Sequence, residues 1–286
     1  MPYAILSGSF SFFDGVNKFF GNIAAPLLDN SFGVKQMDSV KKVLDLSGGF
    51  TGTLWSVVTK ALAITKPLGI ALIVTYFLMF MFDAAAKEQI TVDSLVKVLI
   101  QLVMVVTLLS NFETVINAIL SMGNSVYTAL TGVSANAAGI EMTGKDIVNA
   151  WLETGEDTGA TILIQSVLIW LIHQIAIIAI DFAAISRLLE LGWRVALAPF
   201  GVANCFEGGA SSPAIKYLKG IFGLALSGAA IYLTAAVGFA LSVGFLVGTD
   251  ASGEEIKGGL FLAQAALLAT AGAAIGVSAK IKEVMT

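Results

Sequence analysis

The sequence has few charged residues and almost no cysteine or histidine, and these shortages exclude several classes of protein. Only 13% of its 286 residues are charged, which is about half of the roughly 25% typical of soluble domains. With one cysteine and one histidine, the chain cannot form an intrachain disulfide, a cysteine cluster or a multi-histidine metal centre. The formal net charge of −4 gives no case for nucleic-acid binding through bulk electrostatics.

Catalytic signatures are missing as well. The sequence contains no GxSxG, HExxH, P-loop or CxxC motif, so the usual arrangements for an activated serine, a zinc site, a phosphate cradle or a redox pair are not indicated. We therefore expect a protein that is not an enzyme and that binds no cofactor.

Apolar sequence is what the chain has in abundance. Hydrophobic residues make up 57% of it and the mean hydropathy is +0.87, which predicts an all-α, polytopic integral membrane helical bundle. The fourth apolar run, of about 46 Å as a helix, exceeds the roughly 30 Å hydrocarbon core, so that helix must tilt, kink or protrude. About five transmembrane helices are predicted, at residues 60–82, 95–120, 160–182, 218–248 and 259–279.

The first 53 residues alternate apolar and polar side chains and lack an apolar run long enough to span a membrane. They predict an amphipathic N-terminal region, 1–53, that is extracytoplasmic or interfacial and precedes a membrane domain, 54–286. The alternative is an extra membrane pass made from residues 3–28.

An amphipathic stretch between the third and fourth predicted spans differs from its apolar neighbours. Arg187, Glu190 and Arg194 follow each other at helical spacing and so share one stripe of a helix. Trp193 lies beside that stripe, as expected of an aromatic ring at a membrane–water boundary, and Pro199 should break or kink the helix. The pattern predicts a short interfacial or re-entrant helix on the cytoplasmic side. The alternative is an ordinary loop with one helical turn.

Basic residues around the spans predict the orientation of the chain. The connection between spans three and four holds Arg187, Arg194, Lys216 and Lys219, so the rule that basic loops stay inside places it in the cytoplasm. The N-terminus is then outside and the C-terminus inside. Against this orientation stand the six lysines of the N-terminal part, Lys18, Lys35, Lys41, Lys42, Lys60 and Lys66.

Two ionisable residues lie within the third apolar run, His173 and, eight residues later, Asp181. Ionisable groups inside a membrane are functional candidates. The simpler interpretation is a neutral core histidine bonded to a neighbour and an aspartate at the inner interface. We favour it because a proton relay needs further acidic groups at mid-membrane, and the chain offers none there.

Small residues are frequent in the last two spans. Gly244 and Gly248 in the fourth, and Gly272 and Gly276 in the fifth, match the GxxxG pattern. That pattern favours close helix packing or a subunit contact rather than a ligand site.

The segment RLLELGWRVALAPFGVANCFEGGASSPAIKYLKGIFGLAL resembles the core of the TrbL/VirB-six-like family, polytopic membrane subunits of type IV secretion and conjugation systems. The family pattern is an arginine after a span, an apolar stretch ending in Ala-Pro, a small-residue turn, and a basic residue before a long Gly/Ala-rich span. The resemblance covers residues 160–280 and is only topological before them. The positions that fill the pattern are Arg187, Trp193, Ala198, Pro199, Gly201, Lys216, Tyr217 and Gly220.

This resemblance implies a non-enzymatic subunit that forms a homo-oligomeric ring in the inner (cytoplasmic) membrane. Its partners would be membrane lipids, a cytoplasmic ATPase, and pilin or small membrane subunits. The cargo in transit would be single-stranded DNA with its relaxase, or protein. The resemblance further implies that Arg187, Glu190, Trp193, Arg194 and Pro199 face the ATPase or a ring neighbour, and that Lys216 and Lys219 contact lipid phosphates or cargo.

Two other functions are compatible with a membrane bundle. A small-solute secondary transporter or permease would need inverted repeats and broken helices at matching positions. The sequence has breaks near Pro67 and Pro199 but no matching halves. A holin-like pore fits least, because five spans and the polar loop at 121–159 are more than such a protein needs.

Overall fold

The structure, a computed structural model, is helical throughout the residues that it describes, and these contain no β-strand. They are residues 3–32, 40–41, 44–45, 52–87, 91–137, 143–153, 159–203, 212–247 and 253–285. The predicted all-α class is confirmed. The helices of this part are α1 (Tyr3–Phe32), α2 (Thr53–Ala86), α3 (Val92–Ser110), α4 (Phe112–Ala137), α5 (Gly144–Glu153), α6 (Gly159–Ala196), α7 (Ala198–Ala203), α8 (Pro213–Val247) and α9 (Gly253–Met285).

Four of these helices, α2, α6, α8 and α9, are long and apolar enough to cross a membrane, and α3 with α4 brings the number to five if that bent pair is one span. A helix satisfies all of its backbone hydrogen bonds internally, which is why long apolar runs fold this way in lipid. The coarse prediction of a bundle with four or five such helices is therefore confirmed. α1 is not one of the four.

The second predicted span, 95–120, is not one straight helix. α3 ends at Ser110, and α4 begins at Phe112 in a direction that differs by 70°. Asn111 lies at the break, and its Nδ2 donates to the Thr107 carbonyl at 3.0 Å. Such local side-chain bonds offer the backbone an alternative to the helix.

The predicted interfacial helix between spans three and four is not a separate helix in the structure. Residues 187–196 continue α6 without interruption, because the buried stripe of this helix runs on through Arg187, Leu191 and Val195. The expected break at Pro199 does occur, since α6 ends at Ala196 and the next helix begins at Ala198. Proline removes a backbone donor and restricts the residue before it. What remains as a separate helix is only α7, which is buried rather than lying on a surface.

The chain forms two compact units, and α4, α6, α8 and α9 each contribute to both. In the first unit, Met1–Lys42, Leu130–Phe182 and Tyr232–Ile275, α1 packs against α5 and the start of α6. Asn17 Oδ1 accepts a hydrogen bond from the Gly159 amide at 2.9 Å, and Asp29 Oδ1 accepts one from the Gly144 amide. α1 thus caps the first residues of two other helices, whose amides have no partner within their own helix.

The second unit consists of Val43–Ala129, Ala183–Ile231 and Gly276–Thr286. Its main core joins the first half of α2 to α4, the last turns of α6, α7 and the first half of α8. A second cluster joins the later half of α2 to α3. The candidate site lies in this unit.

Candidate functional site at the end of α6

Arg187 is the largest fully buried side chain in the described part of the chain, with 2% of its surface exposed. Its Nε donates to the Leu224 carbonyl at 2.9 Å and its Nη2 to the Ala225 carbonyl at 3.0 Å, both on α8. Its Nη1 is 3.5 Å from the Leu44 carbonyl. Buried charge is tolerated only with hydrogen-bond partners. Here the bonds to described residues go to backbone oxygens, so Arg187 joins α6 to α8.

Glycines make room for this contact. A Cβ added at Gly228 would lie 2.5 Å from the Arg187 Cζ, and one added at Gly123 would lie 2.6 Å from the Ala225 oxygen. α4 and α6 therefore reach α8 at neighbouring carbonyls, and the buried Tyr127 of α4 interacts electrostatically with the guanidinium. Sequence reasoning missed both glycines, since nothing local distinguishes them among the 29 in the chain.

Glu190 and Arg194 form the ion pair that their spacing predicts, with Glu190 Oε1 3.0 Å from Arg194 Nε and 23% of each side chain exposed. The Arg194 guanidinium also lies 5.3 Å from the centre of the Trp193 ring. A partly exposed ion pair at this helical spacing adds only about 0.3–0.5 kcal/mol. Trp193 itself is 51% exposed. The predicted stripe thus divides into a buried arginine and an ion pair at the edge of an exposed aromatic ring.

Pro199 is buried in α7, which packs closely along α2. A Cβ added at Gly69 of α2 would lie 2.9 Å from the Pro199 oxygen, so only glycine permits this approach. Just before it, the Thr65 hydroxyl donates to the Ala196 carbonyl at 2.7 Å. That bond satisfies one of the carbonyls left free where α6 ends.

Lys216 and Lys219 are exposed in the first turns of α8. Ser212 directly precedes that helix, and its Oγ accepts a hydrogen bond from the Ile215 amide at 3.4 Å. Between the lysines, the Tyr217 hydroxyl donates to the Arg194 carbonyl at 2.7 Å. The same ring covers Gly201, where a Cβ would lie 2.6 Å from the Tyr217 Cδ2. Tyr217 therefore ties the start of α8 to the end of α6.

His173 and Asp181 belong to the other unit, and the structure does not bring them into contact. They lie about 12 Å apart along one helix axis. His173 is fully buried, its ring centre is 5.4 Å from that of Phe239, and neither of its nitrogens has a hydrogen-bond partner among the described residues. Asp181 Oδ1 is likewise buried without one. The described residues therefore do not include the hydrogen-bonding neighbour expected of a neutral core histidine.

The three GxxxG glycines that the structure describes, Gly244, Gly272 and Gly276, have open space where a side chain would begin. A Cβ added at Gly244, Gly272 or Gly276 would have no atom within 4 Å, and Gly248 lies outside the described residues. A subunit contact through these glycines stays a prediction.

No group of three or more histidine, cysteine, aspartate or glutamate side chains that could hold a metal ion occurs among the described residues. The fold and the site define an α-helical bundle with membrane-length apolar helices. Within it, α6 and α8 form a helical hairpin, and Arg187 of α6 donates hydrogen bonds to backbone carbonyls of α8. No family model, curated protein or solved structure matches the chain.

Proposed function

We propose that the chain is a non-enzymatic inner-membrane channel and assembly subunit of a type IV secretion or conjugative transfer system, of the TrbL/VirB-six-like kind. It supports translocation of a DNA–protein or protein cargo and assembly of the pilus or channel. Its N-terminus lies outside and its C-terminus in the cytoplasm, and copies assemble as a ring beside the ATPase and the smaller membrane subunits of the system.

One observation carries the proposal. The residues of the family-like segment are those that fix the geometry of the α6–α8 hairpin. Arg187 bonds the carbonyls of α8, Tyr217 bonds the end of α6, and Pro199 packs on Gly69 of α2. A segment tied at three points holds its exposed groups in a fixed position, as a docking element in a machine requires.

In this proposal, the exposed side chains of the α6–α8 hairpin form the surface that faces the partner. Trp193 is half-exposed and stacked by Arg194, which Glu190 holds in place. Tryptophan and arginine are the residues that dominate binding energy at protein interfaces. In this proposal they contact the ATPase or the ring neighbour, whereas Arg187 and Pro199 keep the hairpin in shape.

The test is transfer efficiency in cells carrying Trp193→Ala or Arg194→Ala. Loss of an interface anchor typically costs about 2 kcal/mol or more, so we expect transfer to fall at least tenfold while the protein remains at its normal level in the membrane. Leu189→Ala is the matched control, because Leu189 is 59% exposed one turn earlier on the same helix. Wild-type transfer by both variants contradicts the proposal.

Two further observations test the assembly. Genes for a secretion ATPase and a coupling ATPase beside this one support the assignment, and native mass in detergent tests for a ring. A monomer in detergent and in membranes contradicts the ring.

A small-solute transporter or permease is the second candidate, and the 70° break between α3 and α4 favours it. Broken helices with free carbonyls are common at transporter substrate sites. Selective solute uptake by proteoliposomes of the purified protein would support this function over secretion.

A further inference from the structure

The second unit contains two apolar clusters, and α2 runs through both of them. The first half of α2 contributes Val58 and Leu62 to the main core, which it shares with α4, the end of α6 and the first half of α8. From Ile70 onward, α2 belongs to the second cluster, which it forms with α3 and with Ala203 of α7. Residues 63–69, all of them described, belong to neither cluster. Within about two helical turns, α2 therefore changes its packing partners.

The later half of α2 and α3 form a helical hairpin, which the chain joins to the main core at two places. At the first place Pro67, which is exposed, has no amide to donate to the Ala63 carbonyl, so α2 continues but lacks one of its helical bonds. At the second place α3 ends at Ser110, and α4 begins at Phe112 in a direction that differs by 70°. Helices bend at prolines and where the hydrogen-bond ladder is interrupted. Both connections of the hairpin therefore fall where a helix bends easily.

These two connections are neighbours in space. Lys66 Nζ donates to the Ser110 carbonyl at 2.8 Å, so the residue before Pro67 bonds the last residue of α3. The residue before that, Thr65, donates to the Ala196 carbonyl at the end of α6 at 2.7 Å. The chain thus enters and leaves the hairpin side by side, next to the end of α6, as the connections of a hinge do.

Among the described residues, the contacts of the hairpin with the rest of the second unit lie near its base. Gly69 packs closely on Pro199 of α7, and Ala203 of α7 lies in the cluster of the hairpin. Val105 of α3 packs in both clusters. Farther out, large apolar side chains are exposed, among them Met79 at 61%. A hairpin that has its own apolar cluster and is held near one end can move as a rigid body.

We propose that Pro67 and the break at Asn111 form a hinge, about which the α2–α3 hairpin tilts relative to the core of α4, α6 and α8. Lys66 holds the two connections together, and α7 is the surface along which the base of the hairpin moves. The hinge gives the second unit a second arrangement without unfolding either cluster. This proposal does not depend on the secretion function.

The distance between two spin labels in the full chain, measured by pulsed electron paramagnetic resonance in lipid nanodiscs, tests the hinge. The labelled positions are Met79→Cys on the hairpin and Leu189→Cys on α6, in a Cys205→Ser background. Both positions are exposed, and they lie about 30 Å apart along the helix axes, counted through the bond between Thr65 and Ala196. We expect a broad or two-peaked distribution of this hairpin distance.

Replacing Pro67 by alanine should stiffen the hinge. Pro67→Ala restores the missing helical bond, and because Pro67 is exposed the change disturbs no buried side chain. We expect the hairpin distance to narrow to the width given by the reference pair Val57→Cys/Ile215→Cys, whose two positions lie outside the hairpin. Pro26→Ala is the matched control, because Pro26 is also exposed inside a helix but belongs to the other unit. It should leave the distribution as wide as in the wild type.

A second variant acts in the opposite direction. Lys66→Met removes the bond between the two connections and should widen the distribution, whereas Lys60→Met, at an exposed lysine of the same helix, should not. A wild-type hairpin distance as narrow as that of the reference pair overturns the hinge. Equal widths in Pro67→Ala and Pro26→Ala overturn it as well, and equal widths in Lys66→Met and Lys60→Met overturn the part assigned to Lys66.

Discussion

The substitution Gly228→Ala tests whether Arg187 joins α6 to α8 as described. The new methyl group would lie 2.5 Å from the Arg187 Cζ, well inside van der Waals contact, so the guanidinium must move. Its bonds to the Leu224 and Ala225 carbonyls are then broken or lengthened. In an exposed helix the same change would stabilise by about 1 kcal/mol, because alanine is the better helix former.

The expected magnitude follows from these opposing effects. Leaving a buried donor without its hydrogen-bond partner costs about 1–3 kcal/mol, and more for a charged group, but interhelical hydrogen bonds in membranes average only about 0.6 kcal/mol. Gly228→Ala strains two hydrogen bonds and displaces a buried charge, and the higher helix propensity of alanine offsets part of this cost. We therefore expect the free energy of unfolding to fall by about 2–3 kcal/mol. Thermal unfolding in detergent, followed by size-exclusion chromatography, measures it.

Matched controls come from the same chain. Gly15→Ala and Gly132→Ala place a methyl group where no atom lies within 4 Å, so we expect both to be neutral or slightly stabilising. In an Arg187→Leu background, Gly228→Ala should lose most of its effect, because the guanidinium it displaces is gone. If Gly228→Ala is as stable as Gly132→Ala, or if its effect is unchanged without Arg187, the packing described here is refuted.

Three further predictions concern other side chains. His173→Leu removes two buried nitrogens that have no partner among the described residues, so we expect stability to be equal or higher by about 1–3 kcal/mol; a loss of transfer at normal stability would instead give His173 a functional role. Thr65→Val keeps the shape but removes the bond to the Ala196 carbonyl, and we expect a loss of about 1 kcal/mol in thermal unfolding; an unchanged value would mean that water replaces the bond. Hydrogen bonds from the Thr143 side chain and amide lower the pKa of Asp146 below 3.8. The stabilisation of the start of α5 is therefore complete above 3.8 and lost only as the pH falls through the lowered value; hydrogen exchange of α5 amides should show this loss in the wild type and not in Asp146→Asn.

The sequence was sufficient for the features that depend on local chemistry. Long, mainly apolar runs predicted the membrane-length helices, and Pro199 predicted the end of α6. The Glu190–Arg194 pair follows from their four-residue spacing. Each of these depends on residues within one or two helical turns of each other.

Features that depend on distant partners could not be predicted. Arg187 reads as a surface residue because its acceptors lie 37 and 38 residues away. The break at Asn111 contains neither proline nor glycine, and part of what satisfies it is Lys66, 44 residues from Ser110. The amphipathic pattern around Arg187 therefore predicted an interfacial helix. In the fold, Arg187 is instead buried and bonds backbone carbonyls of α8.

The caps that α1 provides have a consequence for biosynthesis. Asn17 and Asp29 are translated long before the helices whose amides they bond, 142 and 115 residues before Gly159 and Gly144. The nascent first helix must therefore wait at the translocon, or on the bilayer, until the chain beyond residue 159 has been made. A truncation or a fusion within the first 32 residues should then slow maturation of the newly made protein. The delay should arise late, when the first residues of α5 and α6 form their hydrogen bonds to α1.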